Sequence, residues 1–433
     1  MSDLATFGKE HISTGIGRQT SHVFEEGQGS YVTTSDGTKL LDFTSGIGVV
    51  NLGHCHPTVT KAAQEQCAKI THAQVNIAFS GPQLRLIQAL QTIMPSPELD
   101  TYFLSNSGSE AIEGAVRIAR ESTKRQNVIV VQGSYHGRTA ASAAMTRSKT
   151  AYSAGVGPLM PGVFTSPFPY YSQLLVPNDT PTDEMVDYCL KRLRMLLEQE
   201  TAPRDTAAIF VETVLGEGGY VPAPPAFLKG VREICDEHGI LFVADEIQSG
   251  FGRTGKMFAV EHSGVVPDLM TMAKGIANGF PLSAVVGKKK FMAAMPPSSL
   301  GGTYTGNAVA CAAGQAVVQA FREEKVLDNV AARSKQLLDG LAEIRQRPHG
   351  KLIEDVRGDG LMIGIQFRSP TKEQARGLVV NACGKRNMLL LATSIFDVVR
   401  TIPPLTISEQ EMADAIRILD ESIAEAAAQL GVP

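Results

Sequence analysis

Two short stretches hold residues whose types suit one kind of chemistry. The first, Ile240-Leu-Phe-Val-Ala-Asp245-Glu246-Ile247-Gln248, is an apolar run ending in an acid, and the second, Ala273-Lys274-Gly275, follows further along the chain. An apolar run of this kind is a strand buried on both faces, and its last residue sits at the C-terminal mouth, where open α/β sheets bind ligands. A lysine at a second mouth can meet that acid. Together they suit pyridoxal 5'-phosphate (PLP). The amine bonds covalently to the aldehyde, and the carboxylate keeps the ring nitrogen protonated so that the ring accepts electrons. Asp245 and Lys274 are therefore the candidate catalytic residues.

A phosphate needs its own cradle, and Ser105-Asn-Ser107-Gly108-Ser109-Glu110-Ala111-Ile112 supplies one. Apolar Ile112, Ala115, Val116 and Ala119 mark one face of a helix whose N-terminus is the Ser-Gly-Ser run. Free backbone N–H groups there favour an anion. Ser107 and Ser109 add hydroxyls, and Gly108 permits close approach. Val131-Gln-Gly133-Ser-Tyr135-His136-Gly137-Arg138-Thr139 supplies a further wall, in which an aromatic ring can stack on a flat cofactor. Arg138, and Arg400 in Asp397-Val-Val-Arg400-Thr-Ile-Pro403-Pro404, are candidate carboxylate readers, because the planar guanidinium binds a carboxylate through two parallel hydrogen bonds.

With these motifs in this order, the sequence resembles the class III aminotransferases, which have fold type I among the PLP enzymes, and most closely the 4-aminobutyrate aminotransferases. The resemblance runs from about Phe24 to the last helix. It implies that Ser107, Gly108 and Ser109 hold the PLP phosphate, that Tyr135 stacks on the ring with His136 beside it, that Ile247 packs on the opposite face, and that Gln248 bonds the phenolic oxygen. Thr303, in Gly301-Gly302-Thr303-Tyr304-Thr305, is then expected to reach the phosphate of a neighbouring subunit. A homodimer follows.

The same resemblance implies a dual-substrate site. Glutamate is 4-aminobutyrate with one added carboxylate on the amine-bearing carbon, so the distal carboxylates of both can reach one reader, Arg138. Only glutamate or 2-oxoglutarate needs Arg400 near the reacting carbon. With 4-aminobutyrate bound, Arg400 would be a costly unpaired charge, and Glu217 in Gly216-Glu217-Gly218-Gly219 matches the family's gate, pairing with Arg400 and swinging aside for the keto acid. Ile47 matches an apolar lining position, and Glu212 is retained. Where the family commonly has Glu-Pro-Val-Gln-Gly, however, this chain reads Glu212-Thr213-Val214-Leu215-Gly216, losing a rigid proline and an amide. The segment Leu391 to Phe396 also differs and is expected to border the entrance. The implied reaction is ping-pong transfer of an amino group from 4-aminobutyrate to 2-oxoglutarate, giving succinic semialdehyde and glutamate. The alternatives are an acetylornithine- or ornithine-type or broad ω-amine transaminase, or, on the same fold, a PLP decarboxylase or aminomutase.

The elements that must position these residues follow from periodicity. Ser30 to Phe43 alternate around Asp36-Gly37 and read as a β-hairpin. Apolar strands at Val128 to Val131, Ala207 to Val211 and Ile240 to Ala244 alternate with amphipathic helices, which gives an α/β fold with a mainly parallel sheet, seven-stranded in the resembling family, covered on both faces. After a helix near Cys311 to Arg322 come a helix at Ala331 to Gln346, strands at Gly360 to Phe367 and Met388 to Leu391, and a last helix at Ser408 to Leu430. The expected organisation is an N-terminal segment (1–55) that joins a C-terminal α+β part (324–433) in a small domain, flanking a large PLP-binding domain (56–323). Pro167 to Asp183 reads as a surface excursion.

Composition narrows the classes. The chain has 433 residues, 43% of them hydrophobic, and a net charge of -4, so neither nucleic acid nor an anionic membrane is an expected partner. A polar N-terminus without an apolar core, and no long apolar run, make the cytoplasm the expected compartment. The six cysteines include no CxxC pair. His54-Cys55-His56 has no second cluster to complete a metal site, and none is expected.

Overall fold

The structure is a computed structural model that describes residues 3–370 and 374–432. Its centre is a seven-stranded sheet in the spatial order Leu99–Ser105, Ser283–Lys288, Leu269–Met272, Leu241–Asp245, Thr206–Glu212, Asn127–Val131 and Val163–Ser166. Only Ser283–Lys288 runs antiparallel to its neighbours; the other pairings are parallel. Thr206–Glu212 and Leu241–Asp245 are buried at every position, as their unbroken apolar runs require when helices cover both faces.

Helix Gly108–Thr123 shows how one such cover forms. Ser107 caps it, its hydroxyl accepting the Glu110 N–H, and the buried stripe Ala111, Ile112, Ala115, Val116, Ile118, Ala119 lies on the sheet. Each buried branched side chain contributes about 1.5–3 kcal/mol. Gly114 sits where a Cβ would come within 3.0 Å of the Phe103 ring, so the helix is seated closer to the sheet than any larger residue permits.

Two smaller sheets flank this centre. Phe24–Gln28, Tyr31–Thr34 and Lys39–Asp42 form an antiparallel meander, the second and third of these strands being the expected hairpin, and Met388–Leu389 adds a parallel strand from the far end of the chain. The other sheet runs Ile353–Asp359, Met362–Phe367, Val398–Thr401, Leu391–Ala392. The strand expected over Met388 to Leu391 is thus two short pieces in two sheets, because the chain changes partner at buried Leu390. The helix expected from Ala331 starts earlier, at Val326, and the final helix, Glu409–Gln429, is capped by Ser408.

One expectation is corrected. In the stretch Pro167 to Asp183 only the later part is exposed: Phe168 and Tyr170 are buried, and the Tyr170 hydroxyl donates to Gln366 Oε1 at 2.8 Å and accepts from Arg357 at 3.0 Å. Proline and polar neighbours masked two aromatic anchors. His54 and His56 turn to separate carboxylates, Asp42 at 2.8 Å and Glu324 at 3.0 Å.

Candidate active site

A cavity of about 470 Å³ opens at the C-terminal ends of the parallel strands. Lys274, Asp245, Ser107, Gly108, Ser109, Tyr135, His136, Arg138, Ile247, Gln248, Ile47, Glu212 and Glu217 all line it. Arg400 reaches it through Glu217. Thr303 does not: it lies exposed on the loop before helix Ala308–Glu323.

Asp245 ends its strand, and in the parallel register it stands beside Thr271 of Leu269–Met272, the strand after which Lys274 comes. The acid and the lysine are therefore brought together by adjacent strands. Three donors fix the carboxylate. Thr271 Oγ1 and the Ile247 N–H reach Oδ1 at 3.0 and 3.1 Å, and His136 Nδ1 lies 2.7 Å from Oδ2. Lys274 has a left-handed backbone, φ 47°, a conformation of the kind that concentrates at functional sites. Burial pushes its amine down to about 8, against the pull of Glu212 and Asp245.

Glu212 is wholly engaged by backbone: the N–H groups of Tyr135 and Gly216 donate to it at 2.6 and 3.0 Å. It braces the aromatic wall and the loop that carries Glu217 at once. Burial raises its carboxyl to about 7, with His136 and the two N–H groups opposing the shift. Next to Asp245, the fully buried Glu246 accepts from Thr213 Oγ1 (3.1 Å), Val260 N (2.7 Å), Ser249 Oγ (2.6 Å) and Ala259 N (3.1 Å). Thr213 thus ties the strand end to Glu246 and, at 2.9 Å, to Ser249. Leu215, in place of the amide, is simply buried in the core.

Arg400 lies on Val398–Thr401, opposite Gly364 of Met362–Phe367. It is 4% exposed and donates to Glu217 Oε1 at 2.9 Å, the Gly216 carbonyl at 3.0 Å and the Ala392 carbonyl at 3.2 Å. Burial works against charge on Glu217, but Arg400, with Lys149 and Tyr152 beyond it, holds its carboxyl below the ordinary range. The loop that carries Glu217 rests directly on the strand opposite, since a Cβ at Gly364 would stand 2.3 Å from the Gly219 carbonyl oxygen. Gln248 donates to the Ile47 carbonyl at 3.1 Å, and Ile47 itself has φ 66°, ψ 45°, an outlying conformation for a β-branched residue.

Sequence reasoning missed Tyr152. Its ring packs edge-on to Tyr135 at 5.0 Å, with the Arg138 guanidinium 4.6 Å and Lys149 Nζ 4.4 Å from its centroid. It ends a single 3-10 turn, Thr150–Tyr152, too short for any periodicity to mark it.

These residues fit PLP. A half-buried amine with a lowered pKa is ready to attack an aldehyde, a buried carboxylate lies beside it, and the first turn of helix Gly108–Thr123, with N–H groups unpaired within the helix, opens into the same space. A Cβ at Gly108 would press on Ile247 at 3.2 Å, so the cradle and the opposite wall are already close-fitted.

Comparison with known proteins gives the class. The class III aminotransferase family matches residues 15–423. The chain is 39% identical over 421 residues to a 5-aminovalerate aminotransferase of Pseudomonas putida and 37% identical over 422 residues to a 4-aminobutyrate aminotransferase of Escherichia coli, covering 96% of each chain in both cases. A transaminase from the marine bacterium Virgibacillus superposes with a TM-score of 0.91 at 27% identity, over 99% of this chain and 100% of that one. The chain belongs to the class III aminotransferases and is a PLP-dependent aminotransferase.

Proposed function

We propose that the enzyme moves the amino group of 4-aminobutyrate to 2-oxoglutarate, giving succinic semialdehyde and glutamate. The observation that carries this is the Arg400–Glu217 pair at 2.9 Å, whose carboxylate lines the same cavity as Arg138. A site for one dicarboxylic and one monocarboxylic partner needs two readers, one of which can be neutralised. The relatives named above act on amines with a terminal carboxylate, 4-aminobutyrate and its one-carbon-longer homologue, which supports an ω-amino acid as donor.

Ser107, Gly108 and Ser109 would hold the phosphate of PLP and Asp245 its ring nitrogen, and the bound group would supply an electron sink for charge developing at the substrate carbon. Asp245, immobilised by Thr271, Ile247 and His136, would sustain positive charge at that nitrogen. Tyr135 and Ile247 would flank the ring, with Gln248 toward its phenolic oxygen. Lys274 would take the proton from the substrate carbon and hand it on at C4'. Arg138 holds the distal carboxylate, and Glu217 keeps Arg400 neutralised until an α-carboxylate arrives. Thr303 serves the phosphate site of a second copy, so the working unit is a homodimer. Residues 1–55 and 324–433 act as one small domain beside a large domain of 56–323, an arrangement supported by the pairing of Lys39–Asp42 with Met388–Leu389. A cytoplasmic setting agrees with the absence, among the described residues, of any helix long and apolar enough to cross a membrane.

Two measurements test this reading. Glu217→Ala should impair the 4-aminobutyrate half-reaction more than the glutamate one, and Arg400→Ala the reverse. A charge-assisted contact of about 1.5–3 kcal/mol corresponds to about one to two decades in specificity. Single-turnover rates with both amines decide it, and equal losses would make Glu217 structural. The lowered Lys274 pKa also fixes a pH dependence. Only the neutral amine attacks an aldehyde, so capture of PLP by apoprotein should speed up as pH rises and level off above about 8. Borohydride trapping at short times reads this, and a rate still climbing toward the ordinary lysine range would contradict it.

A further inference from the structure

When an α-carboxylate takes Arg400, Glu217 has to go somewhere, because a partly buried carboxylate without a polar partner is costly. Its present contacts already point one way. Oε1 faces Arg400 at 2.9 Å, whereas Oε2 accepts from the Tyr152 hydroxyl at 3.3 Å. Lys149 Nζ lies 4.4 Å from the centre of that same ring and 2.8 Å from Ser394 Oγ. Among the described residues, no carboxylate lies within 4 Å of this amine. Arg138 also sits by the ring, at 4.6 Å, but it is engaged by the distal carboxylate throughout the cycle. Ser394 belongs to the loop joining Leu391–Ala392 to Val398–Thr401, so the hairpin that carries Arg400 also tethers Lys149.

From this arrangement we infer that Lys149 is the second station of the gate, the cation that receives the Glu217 carboxylate, by way of Tyr152, when Arg400 turns to glutamate or 2-oxoglutarate. The inference rests on the gate reading above. Lys149 touches neither cofactor nor substrate and acts only through Glu217, which makes it a positioning residue. Its absence leaves the closed gate intact and penalises the open one. Glutamate should therefore suffer through binding, and 4-aminobutyrate should not.

The test compares single-turnover half-reactions of the PLP-loaded enzyme with glutamate and 4-aminobutyrate in wild type, Lys149→Met, Lys149→Arg, Glu217→Ala and Lys149→Met/Glu217→Ala. Lys149→Met should raise the half-saturating glutamate concentration about five-fold, the scale of a partly exposed ion pair, with little change in limiting rate. The glutamate to 4-aminobutyrate specificity ratio should fall by the same factor, Lys149→Arg should restore it, and in the Glu217→Ala background the lysine change should have no effect. An unmoved ratio in Lys149→Met, alongside a shifted one in Glu217→Ala, would remove Lys149 from the gate and leave the gate standing. A shift that persists without Glu217 would make the lysine a direct substrate reader and overturn the inference. If Glu217→Ala itself leaves the ratio unchanged, the gate reading fails first and the inference falls with it.

Discussion

Lys274→Ala is expected to abolish transamination, with turnover falling by at least about four orders of magnitude, while the protein still folds and still takes up PLP. In the proposed mechanism one amine is both the covalent anchor and the proton carrier, so its loss removes two steps together. The fold should tolerate the change. Alanine bears the left-handed backbone at 274 no worse than lysine does, and removing an amine whose charge burial already disfavours leaves no partner stranded. Borohydride treatment followed by mass spectrometry should attach cofactor to the wild-type chain and not to the variant. Steady turnover near the wild-type rate would show that Lys274 is not the anchor.

Asp245→Asn should keep the covalent link but slow the proton-transfer step by about two to three orders of magnitude, the scale on which a single electrostatic partner of a developing charge is worth several kcal/mol. The replacement is isosteric and its surroundings can accept it. The amide oxygen can take the place of Oδ1, accepting from Thr271 and Ile247, and the amide nitrogen can face His136 Nδ1 in the tautomer that accepts. What the amide cannot do is sustain positive charge on the ring nitrogen. Rapid-mixing rates with 4-aminobutyrate report the defect, and a wild-type rate would remove Asp245 from that role.

The candidate site residues were largely legible in the sequence because each sits at a structural punctuation mark. Asp245 ends an apolar strand, Ser107 caps an amphipathic helix, Lys274 follows the next parallel strand, and Glu217 lies among glycines. The cavity gathers them as their motifs imply. What the sequence hid was of three kinds. Tyr152 and Lys149 end and precede a single 3-10 turn, and the contact of Lys149 with Ser394 spans 245 positions, so no local pattern could pair them. The two short strands Met388–Leu389 and Leu391–Ala392 are too brief to alternate, and they read as one until their separate partners are seen. Thr213 was visible as a departure from the family pattern, but its bond to Glu246 was not, because Glu246 reads simply as a second acid beside Asp245.

The bare contact between Gly364 and the Gly219 carbonyl carries a consequence for inheritance of substrate range. Arg400 stands in register with Gly364, and the loop bearing Glu217 rests on that same residue, so one missing side chain sets both the guanidinium and its counter-charge. A single methyl group at 364 would lift the loop, although the residue meets neither cofactor nor substrate. Drift in the enzyme's diet can therefore begin at a position with no chemistry of its own, through the height at which one backbone lies on another.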